Sequence, residues 1–174
     1  MLTGHLEGRF LKMLVAISGA RRILEIGTYT GYSAMSMAEA LPPEGRLITC
    51  EIDERHAAKA REHISSSPHA GQIEVRVGPA LDTIASLDGT FDMVFIDADK
   101  PAYRSYYEAV LPRLSSRGFI CIDNVLWSMQ VIDPSINDAS TRALRELNDF
   151  IASDLRVECV MVPLRDGITV VRRR

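Results

Sequence analysis

Short apolar runs alternate with longer mixed stretches along most of the chain. The runs at residues 22–26, 46–50, 73–77, 92–96 and 119–122 are short, and all but 73–77 are continuous rather than alternating. A strand that is apolar at nearly every position is buried on both faces, as in a parallel sheet covered by helices. The stretches between them carry helical spacing. Helices are expected over residues 6–17, 32–41 (stopped by Pro42-Pro43), 54–64, 101–114 with Pro101 in the first turn, and 140–152. Residues 78–81 read as a turn. Near the end the pattern changes: 157–162 and 168–171 are two apolar runs joined through Asp166-Gly167, a hairpin signal. Seven strands in this order predict an α/β fold, a mostly parallel doubly wound sheet with an antiparallel C-terminal hairpin.

The length of 174 residues corresponds to one domain. With 47% apolar and 25% charged residues the chain is of ordinary globular composition, which excludes disordered and collagen-like classes. No apolar run is long enough to suggest a membrane span. The first ten residues contain His5, Glu7 and Arg9 and lack the apolar core of a signal peptide. A net charge of −3 gives no reason to expect a basic nucleic-acid-binding face. Cys50, Cys121 and Cys159 are odd in number and lie in apolar runs, so buried, reduced thiols and a cytoplasmic location are expected. The four histidines show no metal-binding spacing.

The first strand runs into Gly27-Thr28-Tyr29-Thr30-Gly31-Tyr32-Ser33. A glycine turn between a strand and a helix lets backbone approach a ligand closely. Tyr29 stands where a dinucleotide-binding loop carries its middle glycine, which disfavours a pyrophosphate and hence a NAD-dependent oxidoreductase. Glu51 ends the second strand, where an acid accepts hydrogen bonds from ribose hydroxyls. A nucleoside-bearing ligand is expected, and the loop spacing favours S-adenosylmethionine over NAD. Strands four and five end in Asp97-Ala98-Asp99-Lys100 and Asp123-Asn124. As neighbours in a doubly wound sheet they bring Asp97, Asp123 and Asn124 together, an oxygen set suited to a hard divalent cation. Helix capping is the plainer role for either aspartate. Lys100, three residues beyond Asp97, is placed to take a proton from a hydroxyl.

Five ordered motifs carry a resemblance: residues 25–33, the Gly78-Pro79-Ala80-Leu81 turn, residues 92–100, residues 123–127 and Asp166-Gly167-Ile168. Together they resemble the cation-dependent O-methyltransferases, in particular the caffeoyl-coenzyme A O-methyltransferase group, with catechol O-methyltransferase more distant. The match extends from about Thr3 to Arg172. The resemblance implies a Rossmann-like class I methyltransferase fold, with residues 1–174 as a single S-adenosylmethionine-dependent methyltransferase domain. It implies cofactor contacts at Thr3, Glu25, Gly27, Thr28, Tyr29, Ser33, Glu51, Ala80, Asp97 and Asp99. Asp97, Asp123 and Asn124 would hold Mg²⁺, Mn²⁺ or Ca²⁺, and Lys100 would be the base beside Asp97. Trp127 would form an aromatic wall of the acceptor pocket. Ser128 stands where plant members carry an acceptor-contacting asparagine.

The activity implied is methylation of one of two vicinal hydroxyls on a small catechol-like molecule, by a cytoplasmic homodimer with no membrane or nucleic-acid partner. Two other readings stand beside it: O-methylation of a hydroxylated uridine in transfer RNA, and a cofactor-binding module without catalysis. Family members usually carry an extra N-terminal helical segment over the acceptor site. An acceptor pocket more open than usual, completed by a partner subunit, is therefore expected.

Overall fold

A computed structural model describes residues 3–174. Five strands, β1 (Arg22–Ile26), β2 (Arg46–Glu51), β3 (Ile73–Val77), β4 (Phe91–Ile96) and β5 (Leu114–Asp123), run parallel. They are followed by the antiparallel pair β6 (Val157–Val162) and β7 (Ile168–Arg173). The sheet order is β3-β2-β1-β4-β5-β7-β6, with β7 antiparallel to β5. The strand order reverses between β1 and β4, so a crevice opens beyond their carboxyl ends.

Central strands show why continuous apolar sequence predicted double burial. On β1, Leu24 and Ile26 face one core while Ile23 faces the other; on β4, Val94 and Ile96 face away from Met93 and Phe95. One core is closed by α4 (Ala80–Ser86), α5 (Tyr103–Val110) and α6 (Ala139–Ser153). The other is closed by α1 (His5–Ser18) and α2 (Tyr32–Ala38). Helix α3 (Glu54–Ser65) packs along β2 and β3. The Asp53 side chain caps α3 by accepting from the backbone N–H groups of Arg55 and His56, and Asp138 caps α6 in the same way.

Several expectations need correction. Residues 80–86 form a helix, where a turn was expected at 78–81. Helix α2 stops at Ala38 and tightens into 3-10 bonds, Ala40 N–H to Met37 and Leu41 N–H to Ala38, as Pro42 approaches. The 101–114 stretch is an α-helix only over Tyr103–Val110, flanked by 3-10 turns at Lys100–Ala102 and Leu111–Arg113. The sheet edges are not buried on both faces: β3 is half-exposed, and β6 leaves Val160 and Met161 open. Cys159 lies on that edge and is exposed, unlike the buried Cys50 and Cys121.

Candidate functional site

A cavity of about 770 Å³ opens at the carboxyl ends of β1, β2, β4 and β5. Of the residues expected to form the site, Thr3, Gly27, Thr28, Tyr29, Ser33, Glu51, Ala80, Asp97, Asp99, Lys100, Asn124 and Trp127 line it. Glu25, Asp123 and Ser128 do not. Its volume suits a small-molecule site.

The β1–α2 loop is held close to β4 by backbone alone. Gly27 has φ 102°, and a Cβ there would overlap the carbonyl oxygen of Asp97. Ile26 C=O accepts from Asp97 N–H at 2.9 Å, and Cys50 C=O accepts from Gly27 N–H at 3.0 Å. Tyr29 follows with φ 49°, and its N–H donates to Glu51 Oε2 at 2.7 Å. Glu51 Oε1 accepts from Asp53 N–H at 3.0 Å. Two backbone donors thus fix the acid while leaving it acceptor capacity toward the cavity. The Tyr29 ring meets His56 edge-on at 4.9 Å. His56 also lines the cavity, a place that the histidine spacing in the sequence does not reveal.

Glu25 lies behind this loop and is fully buried. The register pairs it with Thr49 on β2, whose hydroxyl donates to Glu25 Oε2 at 2.5 Å. With that proton committed, the Thr28 hydroxyl donates to Thr49 at 2.6 Å. Burial pushes the Glu25 carboxyl up to about 8, against the opposing pull of the Ser33 and Thr49 hydroxyls. Its Oε1 has no hydrogen-bond partner among the described residues.

At the other end of the cavity the groups are charged. Lys100 is buried, and its Nζ donates to Asp97 Oδ1 at 3.1 Å, Tyr103 OH at 2.6 Å and Asn124 Oδ1 at 2.7 Å. Three donors meet three acceptors. The ammonium also faces the Trp127 ring at 5.5 Å. Burial and the nearby Asp97 and Asp123 keep the Tyr103 phenol protonated. Asp99 is turned aside and accepts from Tyr106 OH at 2.6 Å.

Asp123 is buried under this cluster. Its carboxyl is pushed up to about 9 by burial, then by the charges of Asp97 and Glu7. Oδ1 of Asp123 accepts from Asn124 N–H at 2.6 Å. Among the described residues no three His, Cys, Asp or Glu side chains form a metal cluster by themselves. The expected set needs the Asn124 amide oxygen, at present held by Lys100.

Asn124, Trp127, Ser128 and Met129 all have left-handed backbone, an uncommon run for residues other than glycine. The turn between β6 and β7 holds it in place. Oδ1 of Asp166 accepts from Ser128 N–H at 2.5 Å, and its Oδ2 accepts from Asn124 Nδ2 at 3.3 Å. Asp166 C=O accepts from Leu126 N–H at 2.9 Å. Gly167 has φ 83°, and a Cβ would press on Leu126 at 2.6 Å. The Asp-Gly pair expected to make a hairpin therefore also aims the Asn124 oxygen at Lys100. Ser128 contributes its backbone N–H here rather than a cavity-lining side chain.

Glu7 is a further acid at this end of the cavity. It belongs to the buried stripe Glu7, Gly8, Leu11 and Val15 of α1, so an acid on an apolar helical face was the available signal. Its Oε2 lies 3.4 Å from Arg165 Nη1, and its carboxyl group meets that of Asp123.

A doubly wound sheet with a glycine turn, a strand-end acid and an oxygen-rich cluster at the strand-order reversal defines a class of nucleoside-ligand enzymes. The sequence matches the O-methyltransferase family over residues 1–174, and the chain belongs to that family. It is 38% identical to catechol O-methyltransferase of Niastella koreensis, covering 91% of this chain and 73% of that protein. With caffeoyl-CoA O-methyltransferase 5 of Nicotiana tabacum it shares 36% identity over 99% of this chain and 77% of the relative. The crystal structure of an O-methyltransferase from Bacillus cereus in complex with SAH superimposes with a TM-score of 0.92 at 36% identity, covering 98% of this chain and 82% of that one. The fold is that of the class I O-methyltransferases, as expected, and the protein is an O-methyltransferase.

Proposed function

We propose that residues 1–174 act as a single S-adenosylmethionine-dependent, divalent-cation-dependent O-methyltransferase domain, with a catechol-like vicinal diol of a small molecule as acceptor. The carrying observation is the juxtaposition, in one cavity, of a ribose-type acid and a buried Lys100 bridging the Asp97 and Asn124 oxygens. The related Bacillus cereus enzyme was crystallised with SAH, and the two named relatives are a catechol and a caffeoyl-CoA O-methyltransferase.

In this reading Glu51 accepts from the ribose hydroxyls, Ala80 lies against the base, and Thr3, Gly27, Thr28, Tyr29, Ser33 and Asp99 complete the cofactor contacts. The unpartnered Oε1 of buried Glu25 suits a cationic or N–H donor group at the amino-acid end of the cofactor. S-adenosylmethionine supplies the methyl group as a sulfonium.

The residues at the other end fit a cation. A positive group, the Lys100 ammonium, already stands between two of the three expected ligand oxygens, and Asp123 lies beside them. Asp97, Asp123 and Asn124 would hold Mg²⁺, Mn²⁺ or Ca²⁺, which supplies Lewis-acid stabilisation of negative charge on the acceptor oxygens. Lys100 would take the proton of the acceptor hydroxyl on its nitrogen lone pair, having first released one of its own three protons to solvent. Trp127 walls the acceptor, and Ser128 fixes the loop behind it. Positioning two bound reactants in line contributes much of the rate. A cytoplasmic homodimer belongs to the same proposal; the exposed Leu6, Met13 and Ile17 on α1 offer an apolar face for a second copy.

The test is methyl transfer from S-adenosylmethionine over a catechol panel, with and without EDTA. Mg²⁺-dependent transfer that EDTA abolishes is expected. Equal rates with and without EDTA would remove the cation. Transfer only to RNA would replace the acceptor, and cofactor binding without any transfer would leave a binding module.

A further inference from the structure

We infer that Glu7 is a positioning residue through which the cation site is coupled to the first helix; this rests on the cation reading above. Glu7 is only 3% exposed and sits on the face of α1 that carries Leu11 and Val15 into the core. An apolar side chain at this place would avoid the cost of burying a carboxylate. Moreover, it faces further acids. It meets the carboxyl of Asp123, with Asp97 and Asp166 nearby; Lys100 pairs with Asp97 and Arg165 with Glu7.

Glu7 Oε1 is buried with no hydrogen-bond partner among the described residues. This acceptor oxygen is left for a positive group to meet. A divalent cation on Asp97, Asp123 and Asn124 would supply the positive charge that this carboxyl-to-carboxyl contact between α1 and β5 lacks. Groups that hold metal ligands in place from outside typically contribute ten- to hundredfold to metal affinity.

The coupling has a direction through the fold. Just ahead of α1, Thr3 lines the cofactor end of the cavity, and Arg165 ties Glu7 to the β6–β7 turn that fixes the 124–129 loop. Filling the cation site therefore seats α1 and, with it, Thr3 on the cofactor side.

The experiment compares wild type with Glu7→Gln, which keeps the shape and removes the charge. Mn²⁺ affinity is measured by calorimetry, and amide hydrogen exchange of residues 5–18 is followed with and without Mn²⁺. In wild type, Mn²⁺ is expected to slow exchange in α1. In the variant, Mn²⁺ affinity should fall about tenfold or more and the slowing should shrink, while the melting temperature without metal stays equal or rises. A variant that loses melting temperature but binds Mn²⁺ as wild type does would make Glu7 merely structural and overturn the inference. Equal affinity with equal protection would overturn it too, leaving the cation reading intact. Wild type that takes up no Mn²⁺ would remove both.

Discussion

The two ends of the cavity are built on opposite plans. At the cofactor end, Glu51 is held by two main-chain N–H groups from the segment 29–53, and Gly27 sits directly on the neighbouring strand loop. At the proposed cation end, side chains carry the structure, and they come from everywhere: Glu7 on α1, Lys100 after β4, Asn124 after β5 and Asp166 between β6 and β7. The first end is a nearly satisfied polar pocket. The second is a crowd of acids in which burial and mutual repulsion hold Asp123 protonated. A site that pre-exists for its ligand and a site that needs its ligand to be comfortable respond differently to substitution.

The sharpest break between them is Asp123→Ala. Loss of this proposed cation ligand should lower methyl transfer about a thousandfold, or about 4 kcal/mol of transition-state stabilisation, while S-adenosylmethionine affinity measured by calorimetry without metal stays within about twofold. A parallel loss of metal-free cofactor affinity would place Asp123 in the cofactor site itself. Glu51→Ala is the mirror experiment: loss of hydrogen bonds to a charged acceptor costs about 2–3 kcal/mol of cofactor binding, read as a raised KM for the cofactor with kcat nearly unchanged. Asp166→Ala frees both the Ser128 N–H and the Asn124 amide, so stability should fall by about 2 kcal/mol. The KM for the acceptor should rise more than that for the cofactor.

The smallest effect per step is a pH dependence from the cofactor end. The folded-state value of Glu25 is raised to about 8, so the native state holds a proton that the unfolded chain releases near 4.5. Stability therefore falls as pH rises from about 4.5 to about 8, by at most about 1.4 kcal/mol per pH unit from this one group. Ligand-free unfolding at pH 5, 7 and 9 measures it, and Glu25→Gln should remove that portion of the slope.

This contrast also decides what was legible in sequence. Strand cores are written locally, and β1 and β3 fall where the apolar runs place them. The loop glycines and Glu51 lie at fixed offsets from those strands, and Asp97, Asp123 and Asn124 follow from strand adjacency. Hidden were contacts that need register or long closure. Thr49 beneath Glu25 requires the β1–β2 pairing, and Glu7 meets Arg165 across 158 positions of chain. Cys159 was misread because an apolar run does not reveal that its strand is the sheet edge. The short α4 lacked the length that makes helical spacing readable.

The contact between Gly27 and the Asp97 carbonyl has one more consequence. It joins the loop proposed to carry the cofactor contacts to the loop that carries Asp97 and Lys100, and it does so through main-chain atoms alone. The gap between donor and acceptor is therefore gauged by peptide geometry rather than by side-chain size. Changes around Trp127 and Ser128 can reshape which molecule enters without altering that spacing. A single methyl group at position 27 would wedge the two loops apart and mis-set it for every acceptor at once.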